Sequence, residues 1–152
     1  MTSPEFANLD TRVKLAIYRH FANTGNQPQP ETVAANVGAD LPAVLQSYKR
    51  LAANRLLVLE ANGSSIRMAS PFSGIPTQHV VISDNVQYFA NCGWDALGII
   101  AALHRSGTVY SRCEQSGTPF RLSVTAEGPE SSSWIFHCHV PAANWWEDIV
   151  FT

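Results

Sequence analysis

Leu56-Leu57-Val58-Leu59-Glu60, Asn62-Gly63 and Ser65-Ile66-Arg67-Met68 decide how the first half of the chain is read. Two short apolar runs flank an Asn-Gly pair. That pair accepts the positive φ angles of a tight hairpin turn, so the spacing predicts two antiparallel strands. Upstream, Val13, Ile17 and Phe21 recur at helical spacing, with Leu15 and Tyr18 widening the stripe. This predicts an amphipathic helix from Leu9 to Asn23. Asn23-Thr24-Gly25-Asn26-Gln27-Pro28 breaks it. A short helix follows from Pro30 to Val37, with Pro30 in its first turn and Gly38 placed to close it. Asp40 is a natural N-cap for a third helix reaching Asn54, with Leu41, Val44, Leu45, Tyr48 and Leu51 as its apolar stripe. Three helices and a hairpin describe a winged helix-turn-helix-like unit over residues 1–70.

The second half, residues 71–152, reads as a small α+β domain with a mixed or antiparallel sheet. Ser70-Pro71-Phe72-Ser73-Gly74-Ile75-Pro76-Thr77 is rich in Pro, Ser and Gly and predicts an extended connector on the surface. Strands are expected at His79–Ile82 and Val86–Phe89, around an Asp84-Asn85 turn, and at Thr108–Arg112 and Phe120–Val124. A helix is expected from Cys92 to His104. Trp134–Val140 alternates and predicts a last strand, with His137 and His139 on one face and Cys138 on the other. Ala142–Glu147 suggests a short helical turn carrying Trp145 and Trp146. The sequence stops abruptly for a domain at Phe151-Thr152, as a deletion or a truncated gene would produce.

Composition narrows the function classes. The 152 residues carry a net charge of −2, from ten Lys and Arg against twelve Asp and Glu. That balance gives no reason to invoke a polyanionic partner. No apolar run reaches the length of a membrane span. Met1-Thr2-Ser3-Pro4-Glu5 lacks the basic and apolar regions of a signal peptide, so a cytoplasmic protein is expected. Three widely spaced cysteines, Cys92, Cys113 and Cys138, with no CxxC pair, argue against both a disulfide framework and a four-cysteine zinc site.

Asn91-Cys92-Gly93-Trp94-Asp95 carries the chemistry. It sets a thiol and a carboxylate three residues apart at the start of a helix, on one face. The positive end of the helix is expected to lower the thiol's pKa and favour the thiolate, the form that binds soft metals. Asp95 read alone is equally an ordinary first-turn acid complementing the helix dipole.

Together with their neighbours these residues resemble the alkylmercury lyase (organomercurial lyase) family. The resemblance runs from Pro71 to Thr152. It rests on Pro71-Phe72-Ser73 with Pro76-Thr77, on Tyr88 through Leu97, on Ser111-Arg112-Cys113 to Gly117-Thr118-Pro119, and on His139-Val140. The helical N-terminal part also looks like the family's small N-terminal domain. The resemblance implies cleavage of carbon–mercury bonds by protonolysis, giving a hydrocarbon and bound Hg(II). It implies that Cys92 is the first catalytic cysteine, Asp95 the catalytic acid, and Cys113 a more structural cysteine. The family pattern Cys-Cys-His-Val meets His137-Cys138-His139-Val140 here. Ungapped, His137 falls at the second catalytic cysteine, and a one-residue shift or bulge brings Cys138 there instead.

Several expectations follow. Cys92 and Cys138 would hold mercury, with His137 and His139 as further candidate ligands for Zn or Cu. Phe89, Trp94 and Trp145 or Trp146 would line a dry pocket for an alkyl or aryl group. No resident cofactor is required, Hg(II) is the product ligand, and another soft metal would suit the same donors. The partner is a small organometal or thiol-reactive ligand. Competing readings are a non-catalytic soft-metal binder or sensor, a different lyase or tailoring reaction on the same scaffold, and a regulator that docks the Leu41–Asn54 helix on DNA through Gln46, Lys49 and Arg50, with Arg67 on the hairpin. The sequence is silent on oligomeric state.

Overall fold

A computed structural model describes residues 4–151, with side chains from residue 8 onward. Met1, Thr2 and Ser3 of the opening segment and the terminal Thr152 lie outside the described residues. Three helices come first: α1 (Pro4–Thr24), α2 (Pro30–Val37) and α3 (Leu41–Ala53). The local signals behind α2 and α3 are realised. Gly38 closes α2 at φ 62°, and the Asp40 carboxylate accepts the Ala43 N–H at 2.7 Å. Val13, Ile17 and Phe21 are fully buried between α1 and its neighbours.

A three-stranded antiparallel sheet follows, ordered β1 (Val58–Leu59), β2 (Ile66–Ala69) and β3 (Phe72–Ser73). The expected hairpin is therefore present, with shorter strands and Gly63 at φ 69° in its turn. The third strand corrects the reading of 70–77 as a surface connector. Phe72 and Ser73 are buried, and Phe72 stacks on Phe21 with ring centroids 5.3 Å apart and tilts against Tyr88 at 5.9 Å. Pro and Ser around Phe72 mark a chain reversal, but the ring carries enough apolar area to pull the segment into the core.

The second sheet has five antiparallel strands in the order β5 (Val86–Phe89), β4 (Val80–Ser83), β6 (Gly107–Arg112), β7 (Pro119–Thr125) and β8 (Gly128–Pro129). Asp84 and Asn85 both take positive φ, as a two-residue hairpin turn demands. Helix α4 (Gly93–Leu103) connects β5 to β6 and covers one face of the sheet. Val81 pairs with Val109 beneath it, and Ala96, Ile99 and Ile100 pack down from above. The opposite face exposes Ile82 and Tyr110. One buried face and one open face explain the strand alternation. The helix sits so close that a Cβ on Gly107 would lie 2.4 Å from Ile100 Cδ1.

The helical segment and the larger sheet share one core. Tyr88 Oη donates to the Ala22 carbonyl at 2.8 Å, and Gln27 bonds the Ile66 N–H at 2.7 Å and the Gly74 carbonyl at 3.0 Å. Gly25, at φ 73°, lies against the Gln87 carbonyl where a Cβ would clash at 1.9 Å. None of the described helices is long and apolar enough to cross a membrane.

The predicted strand at Trp134–Val140 does not form; the segment is irregular and largely exposed, with Ile135 87% accessible. Alternation supplies only half of a strand, and the other half is a free sheet edge. The end of β7, at Val124 and Thr125, is taken by β8, a strand not expected from the sequence. Aromatic contacts pin the segment instead. Trp134 packs on Phe120 at 4.6 Å, and Phe136 packs on Trp94 at 5.5 Å. Ala142–Glu147 forms a 3-10 turn, as expected.

Candidate active site

Cys92 is the N-cap of α4, with extended backbone, and its Sγ accepts the Asp95 N–H at 3.4 Å. The thiol thus does the work that Ser or Asp does at other helix starts. Cys92 and Asp95 are both half-buried, so the pair is partly screened from bulk water. The Asp95 carboxylate turns to Asn91, whose Nδ2 donates to Oδ2 at 2.8 Å.

Burial dominates the electrostatics. It raises the Cys92 thiol above its ordinary pKa; the Asp95 N–H opposes this, the Asp95 charge adds to it, the Trp94 N–H opposes it, and Cys138 adds to it. The expectation of a thiol acidified by the helix start is therefore corrected: desolvation outweighs the backbone donors. The Asp95 carboxyl is also raised by burial, partly offset by the Asn91 hydrogen bond. Both groups hold protons more tightly than their free counterparts, which suits a site that keeps a proton in reserve.

Cys138 lies within electrostatic range of Cys92, as the last and smallest influence on that thiol. Cys138 itself is exposed. Phe136 carries its segment there, lying 3.7 Å from where a Cβ on Gly93 would sit, at the first turn of α4. The His137 and His139 rings are exposed neighbours, with centroids 4.8 Å apart. Among the described residues no three His, Cys, Asp or Glu side chains converge to hold a metal, so a preformed Zn or Cu centre on His137, Cys138 and His139 is not present.

The expected pocket residues are spread out. Trp94 is 54% exposed and faces Phe136. Phe89 ends β5 and is half-buried. Trp145 is half-buried, with its indole N–H on the Val140 carbonyl at 2.8 Å, and Trp146 lies under the Arg55 guanidinium at 5.8 Å. Cys113 opens the turn before β7, its N–H bonded to the Thr118 carbonyl at 2.9 Å. The Ser116 hydroxyl, then the Ser116 and Gln115 N–H groups, lower its pKa, and the residue is half-buried.

Three residues near the site were not singled out by sequence reasoning. Asn91 and Phe136 are two. The third is Tyr18 of α1, read as part of an apolar stripe. Its hydroxyl donates to the Ser70 carbonyl at 3.0 Å, and its pKa is raised by burial and then by the charge of Asp95. The helical half of the molecule therefore reaches the surroundings of the carboxylate. A lone Tyr in a helical stripe gives no sequence signal for this.

A family model described as alkylmercury lyase matches residues 72–152, just over half of the chain. The chain belongs to the alkylmercury lyase family. Cys92, Asp95, Cys113 and Cys138 all fall within the matched part of this alkylmercury lyase family member. Among solved structures, the crystal structure of the mercury-bound form of MerB2 is similar, with a TM-score of 0.61 at 21% sequence identity. The match covers 82% of this chain and 66% of that one, so the chain spans just under two thirds of that protein's length. At this identity the likeness establishes the fold. No curated protein matches the chain.

Proposed function

We propose that this protein is an organomercurial lyase that cleaves a carbon–mercury bond by protonolysis. The observation that carries the reading is the half-buried Cys92–Asp95 pair at the start of α4, inside the stretch matched by the family model. Mercury(II) is soft and prefers thiolates among side-chain donors. In the proposed reaction Cys92 displaces an external thiolate from R–Hg and forms the S–Hg bond. Cys138, whose neighbour Phe136 packs at the first turn of α4, is the second sulfur in this reading; its bond to mercury pushes electron density toward carbon. Asp95 accepts the proton released by the incoming thiol and passes it to carbon as general acid. The carbon–mercury electron pair takes that proton, R–H leaves, and Hg(II) stays on the two sulfurs as product until external thiols remove it. Trp94 and Phe136 offer apolar area for R, with Phe89 and Trp145 further out.

We assign residues 1–70 to a winged-helix-like unit and 71–152 to the lyase-like unit. The first serves as a buttress to the second in this reading. DNA binding is disfavoured by the cations it would need. Arg50 pairs with Asp10 at 2.7 Å, and Arg67 pairs with Glu60 at 3.1 Å. Burial works against the Asp10 carboxylate, but the Arg50 and Ser47 hydrogen bonds and the Arg50 charge outweigh it and hold its pKa below the ordinary value.

The test is incubation with a phenylmercury compound and excess thiol, followed by assay of benzene. Catalytic release that disappears in Cys92→Ser is expected. Tight Hg(II) binding with no benzene from the wild-type protein would refute the lyase reading and leave a soft-metal binder.

A further inference from the structure

Asn91 sits between three elements: the end of β5, the start of α4 and the backbone of β3. Its Nδ2 donates to Asp95 Oδ2 at 2.8 Å and also faces the carbonyls of Phe72 at 3.3 Å and Pro71 at 3.4 Å. An amide nitrogen has two hydrogens. One goes to the carboxylate, and the other is shared between the two carbonyls. The other end of the amide, Oδ1, is buried with no hydrogen-bond partner. Turning the amide over would not relieve it, because Oδ1 would then face three oxygens. The neighbours therefore fix which end points at Asp95, at the cost of an unsatisfied buried oxygen.

We propose that Asn91 is the positioning residue of this site, holding the Asp95 carboxylate in one orientation by anchoring it to the β3 backbone. The proposal rests on the lyase reading, in which Asp95 must receive a proton at sulfur and deliver it at carbon. Such a transfer needs hydrogen-bond reach at both ends. The side chain of an acid in a first helical turn has several staggered orientations open to it. The Asn91 bond selects one, and Phe72, packed in the core between Phe21 and Tyr88, keeps the anchor rigid. The same contact ties β3, which the sequence disguises as a connector, to the chemistry.

Asn91→Leu keeps the approximate size and removes the donors; Asn91→Asp keeps the shape and removes the amide hydrogens. In benzene release from a phenylmercury compound, both variants are expected to lose on the order of 10- to 100-fold in kcat, as small misplacements of reacting groups do. KM and Hg(II) affinity should stay within about twofold, since Cys92 is untouched. A folded variant with wild-type kcat would overturn the proposal. So would parallel losses of kcat and Hg(II) affinity, the mark of general damage. A second readout does not need turnover: urea unfolding of Asn91→Leu, Asp95→Ala and the double variant. Non-additive losses are expected for side chains that bond one another. Additive losses would overturn the proposal. If the wild-type protein releases no benzene, the lyase reading fails, and the unfolding cycle alone decides whether Asn91 holds Asp95.

Discussion

Cys92 caps the helix that carries Asp95: the sulfur accepts the Asp95 N–H at 3.4 Å. The same backbone geometry that begins α4 therefore sets the thiol and the acid side by side. Their separation is fixed by one helical turn and does not depend on a loop. The Asp95 carboxylate is left free of the capping bond and goes to Asn91. Helix start and candidate chemistry are one arrangement.

Replacing Cys92 by Ser separates these two roles. Serine is a better N-cap than cysteine, so the fold should be kept, with an unfolding midpoint equal to or above wild type. Hg(II) affinity should fall by more than the ~100-fold that loss of a mere supporting residue costs at a metal site. A thiol-competition titration beside a thermal melt checks both. Unchanged affinity would remove Cys92 from the site.

The second donor is decided by three single variants. Cys138→Ser is expected to cost roughly 100-fold or more in turnover. Cys113→Ser is expected to remain within about twofold, because the Cys113 thiol belongs to the turn before β7 and has its electrostatic partners there. His137→Ala should also be nearly silent. Loss on His137→Ala with an active Cys138→Ser would reverse the assignment and make the imidazole the donor. Steady-state benzene release measures all three.

Legibility followed how local the cause was. Asp40, Gly38 and the Asp84-Asn85 turn act within four residues, and each end or reversal lies where the sequence placed it. The Cys-x-x-Asp spacing was readable for the same reason. The pKa direction of Cys92 was not, because burial is a property of the whole fold. Trp134–Val140 failed for a related reason: alternation is visible in sequence, but a free sheet edge is not. Asn91 lies only four residues before Asp95, but its anchors at Pro71 and Phe72 and the influence of the Asp95 charge on Tyr18 come from elsewhere in the chain, and no spacing announces those meetings.

Phe72 offers a direct test of the corrected connector. The side chain is 2% exposed, stacked on Phe21 and in contact with Tyr18 and Tyr88. Phe72→Ala should destabilise the protein by about 3–5 kcal/mol, the usual result of emptying an aromatic site in a packed core. Urea unfolding followed by tryptophan fluorescence reports it. A loss of under about 1 kcal/mol would return residues 70–77 to the surface.

His79 should set part of the acid sensitivity of the fold. It is buried just before β4, with Nδ1 2.6 Å from Ser111 Oγ and Nε2 3.4 Å from Glu114 Oε1. Burial lowers its pKa, and the Glu114 charge and hydrogen bond only partly restore it. With the folded value depressed, the unfolded chain takes up a proton before the folded one does. Stability is then full above the ordinary imidazole pKa and is lost as pH falls toward the folded value. The slope contributed by this one group is at most about 1.4 kcal/mol per pH unit. His79→Gln, which keeps a polar side chain beside Ser111 and cannot titrate, should flatten that limb when unfolding free energy is measured across the range. A slope identical to wild type would show that the acid loss originates elsewhere. A slope of opposite sign in the wild-type protein would mean that Glu114, and not burial, governs the imidazole.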